Sequence, residues 1–163
     1  MDLAETLLAT LKLELADLLQ VEHLLRSSLR LLLAMLLGGL LGYERAVTGK
    51  AAGVRTHMLV CLGAAIFVMV LEQEGAAGDA MSRVIQGVAT GIGFLCAGTI
   101  LKGNSLADVK GLTTAAGLWS SAAIGVAVGV GSEAIAVLAT LLVWLVLRVI
   151  PQWVDSPHRN GNS

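Results

Sequence analysis

Charge is the scarcest property of this sequence. Asp, Glu, Lys and Arg fill only 14% of the 163 positions, whereas 56% are hydrophobic. A soluble domain carries roughly 25% charged residues. So small a domain keeps much of its surface in contact with solvent, and a larger core cannot absorb the deficit. The solvent that suits this surface is lipid, and the mean hydropathy of +0.80 agrees. A net charge of −1 provides no field to steer the chain toward nucleic acid or an acidic partner. Cysteine is scarce too. Cys61 and Cys96 each lie inside an apolar run, with no CxxC or Cys/His spacing, which excludes a disulfide framework and predicts buried, inert thiols. The start, Met1-Asp2-Leu3-Ala4-Glu5, is acidic and lacks the basic region of a signal peptide, so the chain is expected to keep it.

Catalytic constellations are absent as well. His23, His57 and His158 are far apart, and no serine sits in a nucleophile elbow. The GxxxxGK[ST] spacing of a P-loop is missing, which argues against nucleotide hydrolysis. Carboxylates are few: Glu44 and Asp108 fall on one predicted side of the membrane, Glu72, Glu74, Asp79 and Glu133 on the other. Mg²⁺ takes one or two carboxylates and keeps its waters. These residues therefore permit a Mg²⁺ site, with Glu44 as a weak candidate, without arguing for one. The expectation is a protein that is not an enzyme and has no resident cofactor.

What is present is a series of apolar runs. Residues 1–23 place Leu3, Leu7, Leu8, Leu11, Leu15, Leu18 and Leu19 on one helical face and Asp2, Glu5, Lys12, Asp17 and Gln20 on the other. This predicts an amphipathic helix, either at the membrane surface or against a partner. Five short spans follow at about 24–43, 57–71, 84–101, 112–130 and 134–150, several below the usual twenty residues. The polar tail 151–163 is expected to be disordered. Arg45, Lys50, Arg55, Lys102, Lys110 and Arg148 gather on one side, which marks that side as cytoplasmic. The N-terminus is then outside and the C-terminus cytoplasmic. Arg26 and Arg30 oppose this orientation unless they snorkel or pair with Glu22.

Nineteen glycines sit mostly inside the spans. The Gly38/Gly42, Gly87/Gly91 and Gly125/Gly129 pairs each put small residues one turn apart, the pattern of helices in close contact within a bundle or homo-oligomer. Three stretches carry the polar groups. In the first, Glu44, Arg45, Lys50, Arg55, Thr56 and His57 crowd the connection between the first two spans. Ionisable groups at such depth are functional candidates, and an ion-pair lock of Glu44 with Arg45 or Arg55 is the competing reading. Gly49 and Gly53 would let this loop turn around a phosphate or headgroup held by Lys50, Arg55 and Thr56. In the second, Gly91, Gly93 and Gly98, with Gln86 before them and Asn104 after, suggest a broken helix facing protein or a cavity. In the third, Thr113 and Thr114 are expected to bond back to helix carbonyls or across to a neighbour, and Trp119 to pack inside the bundle.

These three stretches resemble the MgtC/SapB family of small bacterial inner-membrane proteins. The resemblance lies in Gly38, Gly42, Glu44-Arg45, Gly49, Ala52-Gly53-Val54-Arg55-Thr56-His57, Gly63, Gly91-Ile92-Gly93-Phe94, Ala97-Gly98, Gly111-Leu112-Thr113-Thr114-Ala115-Ala116, Trp119 and Ala122-Ala123-Ile124-Gly125. It implies an all-α integral membrane bundle acting in adaptation to low Mg²⁺ and, in pathogens, in virulence. The implied mode is regulation of another membrane protein such as ATP synthase, and the alternative is a small transporter or channel for Mg²⁺ or another ion. Two departures are visible. Cys96 stands where the family has glycine, expected to loosen a helix contact. Virulence-type members also carry a soluble ACT-like domain after the last span, whereas this chain stops at Ser163. The expected environment is the bacterial inner membrane, with the lipid bilayer, a second membrane protein and further copies of the chain as partners.

Overall fold

Long apolar runs fold as helices here because in lipid every backbone N–H and C=O must be satisfied within the segment. A computed structural model describes residues 2–16, 21–73, 78–102 and 109–154. In it α1 (Leu3–Ala16) precedes α2 (Val21–Val47), α3 (Val54–Gln73), α4 (Gly78–Thr99), α5 (Leu112–Gly129) and α6 (Glu133–Val154). A two-residue antiparallel ladder, β1 (Leu101–Lys102) with β2 (Val109–Lys110), joins α4 to α5. Helices α2 to α6 are each long and apolar enough to cross a membrane. The protein is thus an all-α, multi-pass membrane bundle. Asn104 and residues 155–163 lie outside the described residues.

Two expectations about the helices are corrected. The spans are not short: α2 has 27 residues, α3 20, α4 22, α6 22, and only α5, with 18, stays below twenty. Helices α2, α3, α4 and α6 extend past their apolar runs into polar residues, and at about 1.5 Å per residue this supplies the missing length. Nor does the glycine-rich third span break. Gly87, Gly91, Gly93 and Gly98 all lie within the continuous helix α4, since each residue still makes its helix hydrogen bond and Gly costs only about 1 kcal/mol there.

Helices α3 and α5 form the centre, with α2 and α6 on one side and α4 on the other. The main core joins Ala34, Leu37 and Leu41 of α2 to Cys61, Ala65 and Met69 of α3, Ile124 and Val128 of α5 and Ala136 of α6. Glycine makes this closeness possible. A Cβ on Gly38 would lie 2.6 Å from the His57 carbonyl oxygen, and one on Gly125 would lie 2.1 Å from that of Cys61. No rotamer relieves a clash with backbone, so only Gly fits. The third pair differs, because Gly87 and Gly91 have no atom within 4 Å of a would-be Cβ. Helix α4 is the least buried span. It contacts the bundle mainly through a small cluster of Cys96, Ala115 and Leu118. Cys96 fills that contact rather than loosening it, donating from Sγ to the Ala115 carbonyl at 3.1 Å. Both thiols are free and buried. On α1, Leu3, Leu7, Leu8, Leu11 and Leu15 are all exposed.

Candidate functional site

The end of α2 and the start of α3 meet at a turn made by Gly49, whose φ of 68° few other residues adopt. Gly53 has no such angle, so the turn rests on Gly49 alone. Gly42 lets the helices close just above it, since a Cβ there would lie 2.6 Å from Val54 Cα. The closure drives the polar residues inward. Glu44, Arg45 and His57 are 3%, 2% and 0% exposed.

Arg45 Nε donates to Glu44 Oε2 at 2.5 Å, and Nη2 donates to the Leu147 carbonyl of α6 at 3.3 Å. That carbonyl is available for a local reason. Its helical partner would be the N–H of residue 151, and Pro151 has none. The guanidinium therefore ties α2 to α6 through an acceptor that proline leaves open. His57 Nδ1 lies 2.8 Å from Ser121 Oγ on α5, and that hydroxyl donates to the Gly117 carbonyl at 3.1 Å. Which of the two donates in the His57–Ser121 bond depends on the imidazole tautomer. Glu44 Oε1 and His57 Nε2 are both buried with no hydrogen-bond partner among the described residues.

The candidates of the first stretch thus separate. Glu44, Arg45 and His57 come together inside the bundle. Lys50 and Arg55 are exposed, and Thr56 is half-buried. Glu44 pairs with Arg45, its own neighbour, and not with Arg55. A carboxylate already holding a guanidinium and offering one free oxygen is a poor match for the carboxylates and waters that Mg²⁺ requires. No group of three or more His, Cys, Asp or Glu that could hold a metal occurs among the described residues.

The other stretches are more open than expected. Gln86, Gly91, Gly93, Gly98 and Thr113 are exposed, and Thr114 is buried. Hydroxyl back-bonding of the kind expected at Thr113 and Thr114 is made in α5 by Ser120 to Ala116 and by Ser121 to Gly117. Trp119 is 51% exposed and lines a shallow recess with Ile85, Ala89 and Ile92 of α4. Its packing role is therefore partial, because α4 stands off from α5 there.

A second polar cluster, at the opposite end of the bundle, escaped the sequence reading. Arg26 does pair with Glu22, at 3.5 Å. Arg30 instead turns inward and binds Glu72 of α3. It also reaches Glu133 of α6 at 3.4 Å and donates to the Gly129 carbonyl at 3.2 Å. Gly131, with φ 76°, makes room: a Cβ there would lie 2.2 Å from Arg30 Nη2. Arg30 lies one helical turn from Arg26 on α2, and Glu72 and Glu133 end one helix and begin another on the same predicted side. That charge balance was the available signal.

The chain is 46% identical to protein SrpB of Synechococcus elongatus over 131 residues, covering 74% of this chain and 72% of SrpB. It is 40% identical to YhiD of Escherichia coli K12, whose name proposes magnesium transport, covering 76% of this chain and 60% of YhiD. It is 44% identical to protein MgtC of Salmonella typhimurium, covering 71% of this chain and 48% of that protein. The chain thus spans about half the length of MgtC. No solved structure matches. The model of the MgtC family matches residues 31–155, which include every membrane-spanning helix but the first turns of α2, and on that match the chain belongs to the MgtC family.

Proposed function

We propose that this protein is a non-enzymatic inner-membrane regulator that acts in adaptation to low Mg²⁺ by binding another membrane protein within the bilayer. By family resemblance that partner is the membrane ATP synthase, and the N-terminus is outside and the C-terminus cytoplasmic. The observation that carries the reading is the outer face of α4. Gln86, Thr90, Gly93 and Ala97 recur at helical spacing and are all exposed. The Gln86 amide has no hydrogen-bond partner among the described residues and sits inside a membrane span. Lipid offers it none. A polar side chain in that setting favours a neighbouring helix, and the small residues beside it allow close backbone approach. Of the charges that could line an ion path, Glu44 and Arg45 are paired with each other within the bundle.

A photo-crosslinking residue at Gly93, in the full chain at native expression, tests this reading. Adducts with a membrane subunit of ATP synthase are expected, together with altered ATP synthesis in inverted vesicles that Gln86→Leu abolishes. Crosslinks to lipid alone, with synthesis unchanged, refute it. A second reading, ion transport, is favoured by two buried polar atoms with no hydrogen-bond partner among the described residues, Glu44 Oε1 and His57 Nε2. Mg²⁺ and proton flux in proteoliposomes, lost in Glu44→Gln, would establish it in place of the first.

A further inference from the structure

Helices α3 and α4 are separated along one flank by an apolar groove of about 590 Å³, lined among others by Gly63, Phe67, Val84, Gly87 and Gly91. Its volume is that of a ligand cleft (about 300–1,000 Å³). The glycines make the groove: nothing lies within 4 Å of a would-be Cβ at Gly63, Gly87 or Gly91. They therefore perform no packing service inside the protomer, unlike Gly38, Gly42, Gly125 and Gly129. This flank lies beside the Gln86 face of α4 and is separate from it.

One end of the groove is charged. Among the described residues of the lining, Arg83 is the single ionisable one. It is exposed, and it has no hydrogen bond or ion pair to another described residue. Asp79, one turn earlier and also exposed, does not pair with it. From Arg83 to Ile92, the inner end of the lining on α4, the helix rises about 14 Å at ~1.5 Å per residue. That is close to half of a hydrocarbon core ~30 Å thick. The groove therefore runs from a cation at the membrane boundary to about the midplane, the depth of one leaflet.

We propose that the α3–α4 groove is a binding site for one anionic phospholipid, with an acyl chain laid over Gly63, Gly87 and Gly91 and the headgroup phosphate on Arg83. The leaflet is the one opposite the Gly49 turn, because Arg83 lies near the start of α4. An apolar trough one leaflet deep with a lone guanidinium at its mouth is complementary to that amphiphile in shape and in charge.

Native mass spectrometry of the intact protein in detergent tests the site. The probes are phosphatidylglycerol and phosphatidylcholine with identical acyl chains. The wild type is expected to retain phosphatidylglycerol about fivefold better, the preference one basic residue gives for an anionic lipid. Arg83→Gln should equalise the two lipids. Gly87→Leu with Gly91→Leu should expel both, and it should fold, because the new side chains enter empty space and leucine is the better helix former. An unchanged thermal transition in the same detergent verifies that. Equal retention of the two lipids by the wild type, or an anionic preference that survives Arg83→Gln, overturns the proposal. So does a filled-groove variant that keeps its lipid but falls in oligomeric mass, which would place a second copy of the chain in the groove.

Discussion

Replacing Glu44 with Gln removes a charge while leaving shape almost intact, so its effect isolates the buried ion pair. In the wild type Arg45 is 2% exposed and has two acceptors, Glu44 Oε2 and the Leu147 carbonyl. After Glu44→Gln the guanidinium stays buried with a neutral amide and one carbonyl. Breaking a buried pair from one side costs about 3–5 kcal/mol, because the remaining charge is uncompensated. The site lies near the end of α2, and the Leu147 carbonyl persists, so the lower end, about 3 kcal/mol, is expected. Glu72→Gln is the matched control. The Glu72 side chain is 41% exposed, and Arg30 keeps both Glu133 and the Gly129 carbonyl. That loss should stay within about 1 kcal/mol, the range of exposed pairs. The measurement is reversible unfolding by sodium dodecyl sulfate in mixed micelles, followed by helical circular dichroism. Adding Arg45→Gln to Glu44→Gln should recover part of the loss, since both charges are then gone. A difference between the two single variants below about 0.5 kcal/mol, or a larger loss for Glu72→Gln, would refute the assignment of the buried pair as the dominant polar lock.

Three further outcomes follow from the same contacts. Gly125→Ala pushes a methyl into the Cys61 carbonyl and should cost about 1–3 kcal/mol by overpacking, whereas Gly87→Ala should be neutral or slightly stabilising; thermal unfolding in detergent compares them. Ser121→Ala removes the hydrogen-bond partner of His57 Nδ1 and should cost about 1–3 kcal/mol. Ser120→Ala, which loses only a back-bond to Ala116, should change little in the same assay. Gly131→Ala combines a φ of 76° with a methyl 2.2 Å from Arg30 Nη2. It should lower stability by about 1–3 kcal/mol, and a double-mutant cycle with Glu72→Gln should show the two changes to be non-additive, because both act on Arg30.

Some of the site was readable and some was not, for physical reasons. Glu44, Arg45 and His57 stand beside long apolar runs, and a charge in that position demands burial with a partner or hydration. The need to bury and pair them was therefore legible, and so was Arg45 as one of two candidate partners of Glu44. Lys50 and Arg55 looked equivalent to them in sequence. What separates them is position: Lys50 lies in the loop between α2 and α3, and Arg55, on the first turn of α3, is exposed while His57 two residues later is buried. Arg30 was misread because its partners, Glu72 and Glu133, are 42 and 103 positions away, and no local pattern reports such pairing. The Leu147 carbonyl is similar. Pro151 announces a freed acceptor, but only the packing of α2 on α6 says that Arg45 takes it.

By itself the sequence determined the solvent and the element type. So few charges among such long apolar runs require lipid, and lipid requires helices, because no other single-chain segment satisfies its own backbone there. Glycine at one-turn spacing likewise announced close helix contacts. Only the tertiary structure decided which of those glycines are spent. Gly38, Gly42, Gly125 and Gly129 are filled by α3, and Gly63, Gly87 and Gly91 are left open. Gly87 and Gly91 have the same spacing as the filled pairs. The difference comes from where α4 stands relative to α3, a distance set by side chains from several helices at once and by no single segment of the chain.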